Sequence, residues 1–276
     1  MRSRAASIFQ KQKAYTPVIH QEAFPSVFGP GNMEDYLPVF TSDVQILKTG
    51  SCAVEPYAVP SPMFIGLKRQ LGIGGGSTVS LVHDAGELLV VDTGFDWESD
   101  LSPENREKHV SGLCRTLKQV GLEPGDITRV FITHFHQDHY GGMELFSQAR
   151  WYCHRQALSD CPGHYKDRFL GLDDDEFITS HTRMVATPGH TRGHASLLWS
   201  REGSALRIAL CGDAIINLPW LMSNAVWRHN ADFWDENAAR ASVQRLLDAA
   251  DVIIPGHGEA FFTRPDADAA GYESTP

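Results

Sequence analysis

The sequence predicts a mixed α/β fold. Apolar runs of strand length dominate the middle of the 276-residue chain, and two amphipathic segments with helical spacing interrupt them. Several of the strand-like runs end in a short glycine-containing loop that carries His or Asp. Together these patterns favour two mixed β/α halves that surround one cleft.

The predicted strands begin after an N-terminal arm, residues 1–42, which is rich in Pro, Gly and aromatic residues and shows no periodicity. VQILKTG (44–50) is the first predicted strand. STVSLVH and ELLVVDTG are joined by DAGE and predict a hairpin. The preceding GIGGGS (72–77) has the spacing of neither a Walker loop nor a dinucleotide fingerprint, so it predicts a flexible hinge.

Two helices are predicted. Ser102 is a candidate N-cap, Pro103 suits the first helical position, and Gly121 is placed to end this helix. The second helix is predicted at about 235–250. Between and after the helices, further strands are predicted at RVFITH (129–134), RWYCHR (150–155), TRMVATPGH (182–190), ASLLWS, ALRIALCGD and DVIIPGHG (251–258).

Charge and composition restrict the partners and the location of the protein. The formal net charge of −10 disfavours nucleic acid and anionic lipid, which bind to a surplus of Lys and Arg. The chain has no apolar run of about 18 residues, so no membrane span is expected. Five cysteines without a CxxC spacing indicate reduced thiols and a cytoplasmic protein. The basic N-terminus faintly resembles a transit peptide, but a loose basic arm is the favoured interpretation.

Four segments share one design, in which an apolar strand ends in a glycine-containing loop: FITHFHQDH, VATPGH, IALCGD and VIIPGH. Imidazole and carboxylate groups suit zinc and related divalent ions. A single His at a strand end is more often structural, but four such segments favour a metal site. Their candidate ligands are His134, His136, Asp138, His139, His190, Asp213 and His257.

The motif THFHQDH suggests more than one ion. His134 and His136 are two residues apart and can point to the same side, whereas Asp138 and His139 face a second position. The motif matches the H-x-H-x-D-H signature of the metallo-β-lactamase superfamily. TPGHT, CGDA and IPGHG resemble the later ligand motifs of that family, and VVDTG resembles its early strand. The resemblance covers about residues 44–262.

The resemblance implies an αββα four-layer sandwich for a hydrolase domain over residues 43–276. It implies two divalent metal ions. The first would be held by His134, His136 and His190, and the second by Asp138, His139 and His257, with Asp213 between them and Asp92 supporting the site from behind the ligands.

The activity implied by the resemblance is hydrolysis of an ester, lactone or thioester of a small molecule. A hydroxide bridging the two ions would be the nucleophile, and Asp138 would be the catalytic residue that positions it. Zinc is the expected metal because His136 stands where two-iron redox members of the family typically carry Glu. Iron and manganese remain alternatives, since glyoxalase II-like relatives accept mixed metals.

The substrate contacts are expected from the aromatic stretch 214–234, where Trp220, Trp227 and His229 are the candidates. This stretch could equally pack against the sheets or form a homodimer contact. TPGHTRGHASLL is similar to the corresponding part of N-acyl-homoserine lactonases and glyoxalase II-like thioesterases. In it, His194 is expected to support the loop or to help bind substrate. Ile216 stands where such lactonases often carry Tyr, which weakens a lactonase assignment.

Two other functions remain open. Some members of the superfamily are nucleases, and ATPGH and ADVIIPGHG also resemble a metallo-β-lactamase-domain relative linked to RNA processing. The acidic charge and the lack of a basic aromatic stretch disfavour a nuclease or phosphodiesterase. A non-catalytic metal-binding protein is the other alternative, and the complete ligand set argues against it.

Overall fold

The computed structural model describes residues 39–41, 43–52, 54, 75–94, 103–204, 206–230 and 232–263. Most of the predicted arm, the candidate N-cap Ser102 and the first part of the glycine-rich segment lie outside these residues. The division into an arm and one hydrolase domain therefore stays a prediction.

The first sheet has seven strands, which lie side by side in the order of the sequence. Strands β1 to β4 are antiparallel, and β4 to β7 are parallel. The strands are β1 (Val39–Thr41), β2 (Val44–Lys48), β3 (Val79–Asp84), β4 (Glu87–Val91), β5 (Arg129–Phe131), β6 (Arg150–His154) and β7 (Phe169–Leu172).

The second sheet has five strands in the order β12-β11-β10-β9-β8. Strands β10 and β11 are parallel, and the other neighbours are antiparallel. The strands are β8 (Thr182–Ala186), β9 (Ala195–Trp199), β10 (Ile208–Leu210), β11 (Val252–Ile254) and β12 (Phe261–Phe262).

The two sheets pack face to face because alternate residues of each strand are apolar on the inner side. In the first sheet, Leu89 and Phe131 point inward, and Val44, Ile46 and Val91 lie in the same buried cluster. The second sheet contributes Met184, Leu197, Trp199, Ile208, Leu210, Val252 and Ile254 to this cluster. The inner core therefore consists of the side chains that alternation predicts.

A helix covers the outer face of each sheet. Helix α1 (Pro103–Gln119) packs Leu113 and Leu117 against residues such as Val90 and Val130 of the first sheet. Helix α4 (Glu236–Ala249) packs Leu246 against the second sheet, and its N-cap Asp235 accepts a hydrogen bond from the backbone N–H of Ala238 at 2.7 Å. The αββα sandwich and both predicted helices are thus confirmed.

Sequence patterns did not predict three strands and two short helices. Strands β1, β7 and β12 have two to four residues each, and none is followed by a ligand motif like those that marked the equally short β5, β10 and β11. The short helices are α2 (Gln137–Tyr140) and α3 (Leu218–Met222). Residues 75–77 of the predicted hinge are buried, and the backbone N–H of Ser51 donates to the carbonyl of Gly76 at 2.9 Å. This end of the segment is packed rather than hinge-like.

No helix in the described ranges is long and apolar enough to cross a membrane.

The candidate ligand loops meet at one edge of the sandwich. Strands β4 and β5 run parallel in the first sheet, and β8, β10 and β11 share one direction in the second. The loops that follow these strands therefore lie at the same end, and they carry all the predicted ligands.

The opposite end is held by a buried carboxylate that joins the two sheets. Asp84 ends β3 and accepts hydrogen bonds from the backbone N–H of His181 at 2.7 Å and from the hydroxyl of Thr179, both just before β8. Burial alone would raise the pKa of Asp84, but the hydrogen bonds from Thr179 and His181 outweigh burial and lower it.

We expect Asp84→Ala to lower the free energy of unfolding by about 2 kcal/mol at neutral pH, because buried donors lose their acceptor. The pKa of Asp84 is lower in the folded than in the unfolded state, so its contribution is complete above the unfolded pKa of about 4 and is lost as the pH falls through the folded pKa. The difference in the free energy of unfolding between wild type and variant should therefore become smaller on acidification. Urea denaturation at several pH values measures it, with the exposed Asp167→Ala as control; a pH-independent gap would contradict the assignment.

Candidate metal centre

Seven imidazole and carboxylate side chains from four loops come together at the ligand end of the sandwich. They form two groups, and within each group one ligand atom from every residue lies within 4.8 Å of the others. The first group contains His134, His136, His190 and Asp213, and the second contains Asp138, His139 and His257. All seven side chains are buried. The structure thus brings together the complete set that the sequence predicted.

The first group has three imidazoles whose inward nitrogens meet. Nδ1 of His136 lies 2.8 Å from Nε2 of His134 and 3.1 Å from Nε2 of His190. Such distances place three imidazole nitrogens around one point, which is an arrangement that can bind a cation.

The second group is built around helix α2. Asp138 and His139 lie in the single turn of this helix, and His257 approaches from the loop after β11. Oδ2 of Asp138 lies 3.5 Å from Nε2 of His257 and 4.0 Å from Nε2 of His139. This group offers one carboxylate and two imidazoles.

Asp213 lies between the two groups and turns one carboxylate oxygen towards each. Oδ1 is 3.1 Å from Nε2 of His139 and 3.1 Å from Nε2 of His257. Oδ2 is 3.2 Å from Nε2 of His190 and 3.9 Å from Nε2 of His134. One carboxylate can therefore contact cations in both groups.

Several polar atoms at this point are buried without a hydrogen-bond partner among the described residues. They include both carboxylate oxygens of Asp138. The oxygens of Asp213 have imidazole nitrogens of the two groups as their near contacts. Unpaired buried carboxylates are costly unless a cation compensates them. The donor set is nitrogen and oxygen, which zinc, iron and manganese all accept. These residues fit divalent metal ions.

The protonation of the cluster follows from burial and from neighbouring charges. Burial, with neighbouring imidazoles, lowers the pKa of His134 well below its usual value, and burial lowers that of His190 to about 3. Burial also opposes the charge of His139, but the carboxylates of Asp213, Asp92 and Asp138 outweigh it and raise the pKa of His139. These shifts favour the neutral form of His134 and His190, in which one ring nitrogen keeps a lone pair that can bind a metal.

Behind the ligands, Asp92 orients two of the histidines. Its Oδ2 accepts a hydrogen bond from Nδ1 of His139 at 2.7 Å and from the hydroxyl of Thr133 at 2.9 Å, and its Oδ1 accepts from the backbone N–H of Thr133 at 2.8 Å. Because the Thr133 hydroxyl donates to Asp92, it accepts from Nδ1 of His134, 3.1 Å away. Nε2 of both rings is left to face the metal groups. This geometry agrees with the supporting role of Asp92, which stays a prediction.

Three further partners of the ligands escaped sequence reasoning. Nε2 of His136 lies 3.0 Å from Oδ1 of Asp232, and Nδ1 of His257 donates to the carbonyl of Ser51 at 2.8 Å. The side-chain amide of Asn230 lies 3.1 Å from Nε2 of His190. Asp232 is 96 residues from His136, and Ser51 is 206 residues from His257. No local motif marks these partners.

His194 is buried beside the cluster but belongs to neither metal group. Its Nδ1 lies 2.9 Å from the hydroxyl of Thr187, and its ring centroid lies 5.0 Å from that of His134. This contact ties together the two ends of the loop between β8 and β9. The position agrees with a loop-supporting role, which stays a prediction.

The predicted substrate contacts lie on the Asp213 side. Trp220 and Trp227 are buried and line a cavity that reaches His190 and Asp213. His229 packs its ring against Trp227, with centroids 4.8 Å apart, and is not among the described lining residues. Substrate binding by these three side chains stays a prediction.

The glycines of the ligand loops permit close approach of the backbone. A Cβ atom on Gly256 would lie 2.3 Å from Oδ1 of Asp213, and one on Gly212, where φ is +49°, would lie 2.6 Å from the Thr133 hydroxyl. Any side chain at either position would displace a group of the cluster.

We expect Asp232→Ala to weaken metal binding by the first group, because His136 loses the acceptor that orients its ring. Such changes typically reduce metal affinity by about 10- to 100-fold. A competition titration of zinc against a chromogenic chelator measures this, and the exposed Asp167→Ala is the control. Equal zinc affinity of the two variants would contradict a positioning role for Asp232.

Comparisons with known proteins place this architecture in a family. The profile described as the metallo-beta-lactamase superfamily matches residues 72–257. The chain is 28% identical over 187 residues to an uncharacterised protein of Caenorhabditis elegans. The aligned region covers 67% of this chain but only 48% of that protein. The chain is 31% identical over 189 residues to metallo-beta-lactamase domain-containing protein 1 of Rattus norvegicus, covering 68% of each chain.

A lactonase and a solved structure are also similar. An N-acyl homoserine lactonase of a Bacillus species is 27% identical over 160 residues, covering 52% of this chain and 61% of that protein. The crystal structure of a metallo-beta-lactamase-fold protein of Thermotoga maritima superposes with a TM-score of 0.55 at 21% identity, covering 80% of this chain and 98% of the other. With the profile match and the site geometry, these similarities show that the chain belongs to the metallo-beta-lactamase superfamily of metal-dependent hydrolases.

Proposed function

We propose that this protein is a hydrolase with two divalent metal ions, most suitably zinc, that cleaves an ester, lactone or thioester bond of a small molecule. The proposal rests on the position of Asp213. Its two carboxylate oxygens face two different groups of buried ligands, each 3.1 to 3.2 Å from an imidazole nitrogen of its group. A single-ion site would leave the second group of buried polar atoms uncompensated.

His134, His136 and His190 would hold the first ion, Asp138, His139 and His257 the second, and Asp213 both. Bound there, divalent cations would supply Lewis acidity and a water-derived nucleophile at neutral pH. Zinc suits this set because its borderline character favours imidazole nitrogen with carboxylate oxygen. The same donors accept iron and manganese, so metal analysis must identify the ion.

Asp138 is the side chain that we propose for proton transfer. Both of its carboxylate oxygens are buried and lack a hydrogen-bond partner among the described residues. One oxygen can serve as a ligand, and the other stays available to orient the nucleophile and accept its proton. Asp138 would then return this proton to the leaving group.

The proposed bond class rests on the relatives and on the surroundings of the site. A lactonase is among the similar proteins. The lining near His190 and Asp213 is largely apolar, with Ile215, Ile216 and Trp220 on it. An apolar wall beside the ligands suits an uncharged acyl compound better than a phosphodiester backbone, which needs cationic side chains.

Metal content gives a test of the ion count. Metal analysis of the zinc-loaded protein should give two ions per chain, and His257→Ala should retain one, because only the second group loses a ligand. His164→Ala, which changes an exposed histidine, is the matched control and should retain both. One ion per wild-type chain at saturating zinc would contradict the dinuclear site.

Turnover gives a test of the reaction. The zinc-, manganese- and iron-loaded proteins can be tested on thioesters, lactones, aryl esters, phosphodiesters and a chromogenic β-lactam. We expect hydrolysis of one of the acyl classes, a rate reduced by about 10³-fold or more in His134→Ala, and no reduction in His164→Ala. Turnover of phosphodiesters alone would instead support the nuclease alternative, and full activity of His134→Ala would contradict metal-dependent hydrolysis.

A further inference from the structure

A buried histidine outside the two ligand groups connects helix α1 to the metal centre. His109 lies four residues before Leu113 and eight before Leu117, so it continues the inner face of α1 towards the ligand end of the sandwich. Its side chain is buried. A polar ring on a face that is otherwise apolar is costly unless it has a hydrogen-bond partner. The partner of this ring therefore indicates what His109 does.

The partner is the main chain of the loop after β4. Nε2 of His109 lies 2.9 Å from the carbonyl oxygen of Thr93. Because a carbonyl only accepts, Nε2 carries the hydrogen and donates it. Thr93 is buried and stands between Asp92 and Gly94, whose φ angles are +55° and +63°. A left-handed Asp persists only where its surroundings hold the backbone in place. His109 is one of the groups that hold this loop.

Thr93 in turn holds the end of the ligand helix α2. Its backbone N–H and its hydroxyl both donate to the carbonyl of His139, at 2.7 and 3.0 Å. The same hydroxyl accepts a hydrogen bond from the backbone N–H of Gly142 at 3.1 Å. Because α2 has a single turn, its last carbonyls lack intrahelical donors. Thr93 supplies these donors at a residue that is itself a candidate metal ligand.

These contacts form a path from an outer helix to the second metal group. His109 contacts Thr93, Thr93 contacts the backbone of His139, and Asp138 is the neighbouring residue in the same turn. A functional site needs its side chains held to within about 0.5 Å of the productive geometry. A displacement of the Thr93 backbone would therefore move both ligands that α2 contributes.

We propose that His109 is a positioning residue for the second metal ion. Through Thr93 it fixes the α2 turn that carries Asp138 and His139, and it does not itself bind metal. The role rests on the two-ion site proposed above and extends it to a residue outside every ligand motif. If His109 only anchored α1 to the sheet, its loss would lower stability without selectively weakening the second ion.

A matched pair of substitutions tests the donated hydrogen bond, since Gln and Met are similar in length but only Gln can donate an N–H to the Thr93 carbonyl. In a zinc titration against a chromogenic chelator, His109→Met should bind the second ion about 10- to 100-fold more weakly than wild type. His109→Gln should stay within about threefold of wild type. His164→Met, at an exposed histidine, is the control and should match wild type. Equal second-ion affinities of His109→Met and His109→Gln would overturn the proposal.

The first metal group provides an internal control. His257→Ala is expected to retain only the first ion, so adding His109→Met to it should change the zinc affinity by less than about twofold. A loss of affinity as large as that of the second ion would indicate a general effect on the fold and would overturn the proposal. His109→Leu replaces His109→Met in each experiment if that variant fails to fold, as judged by circular dichroism.

Hydrogen exchange tests the same path in the full-length protein before zinc is added. The amide of Gly142 should exchange about fivefold faster or more in His109→Met than in wild type, because losing one hydrogen bond typically shifts a local opening equilibrium by such a factor. His109→Gln should restore slow exchange. The amide of Ile132, which donates to Tyr152 in the first sheet, should be unchanged and is the control. Unchanged exchange at Gly142 in His109→Met would contradict the positioning role.

Failure of this proposal is distinguishable from failure of the two-ion site. If wild type binds one ion, but exchange at Gly142 responds to His109→Met and not to His109→Gln, positioning of the α2 turn is supported and the two-ion proposal is wrong. If wild type binds two ions, but neither the second-ion affinity nor the exchange responds to His109→Met, the two-ion site stands and the role of His109 is overturned.

Discussion

Negative charge buried at one end of the sandwich is the constraint on which the site depends. Asp92, Asp138 and Asp213 are each less than 5% exposed, and a buried carboxylate is costly unless hydrogen bonds or a cation compensate it. Asp92 is compensated entirely by the protein, through Thr133 and His139. Asp138 and Asp213 instead face imidazole nitrogens of the candidate ligands themselves. Hydrogen-bond satisfaction thus separates the supporting carboxylate from the two that can bind metal.

Hydrogen-bond partners also distinguish the two ring nitrogens of the ligand histidines. The outward nitrogens of His136, His139 and His257 have partners outside the metal groups: Asp232, Asp92 and the carbonyl of Ser51. An occupied outward nitrogen fixes the orientation of the ring and leaves the inward nitrogen for a ligand role. The strands add rigidity, because the ligands lie at or just beyond strand ends that are held by both the inner core and an outer layer.

The two ligand groups and the segment after Asp213 bear on different aspects of the function. The groups themselves explain how a nucleophile could be generated, and they would serve many hydrolytic reactions equally well. We expect the segment after Asp213 to decide which molecules can reach them. Trp220 and Trp227 of this segment are buried in a small cluster with Val54 and Ile216, whereas Ile215 packs with the second sheet. Specificity within a shared catalytic scaffold is expected to reside in such segments.

The sequence supported the fold well wherever elements were long enough for periodicity. Apolar runs of strand length located β2, β3 and β4, and apolar residues at helical spacing located α1 and α4. Capping residues supported only α1. The sequence did not reveal β1, β7 and β12, because two to four residues are too few to show a period and no ligand motif follows them, unlike the equally short β5, β10 and β11. The seven candidate ligands were found because each follows an apolar strand within a short recognisable motif, and the structure collects them in two groups.

By itself, then, the sequence determined the mixed α/β class, the identity of the ligand-type residues and their position at strand ends, and its resemblance to a known family supplied the layers of the sandwich. Only the tertiary structure decided which oxygen of Asp213 faces which group, and that Asp232, Asn230 and the Ser51 carbonyl lie against His136, His190 and His257. It alone also decided that Trp220 and Trp227 line a cavity. The reason is physical: ligand motifs are local, whereas these partners are brought together across 40 to 206 residues by the packing of two sheets.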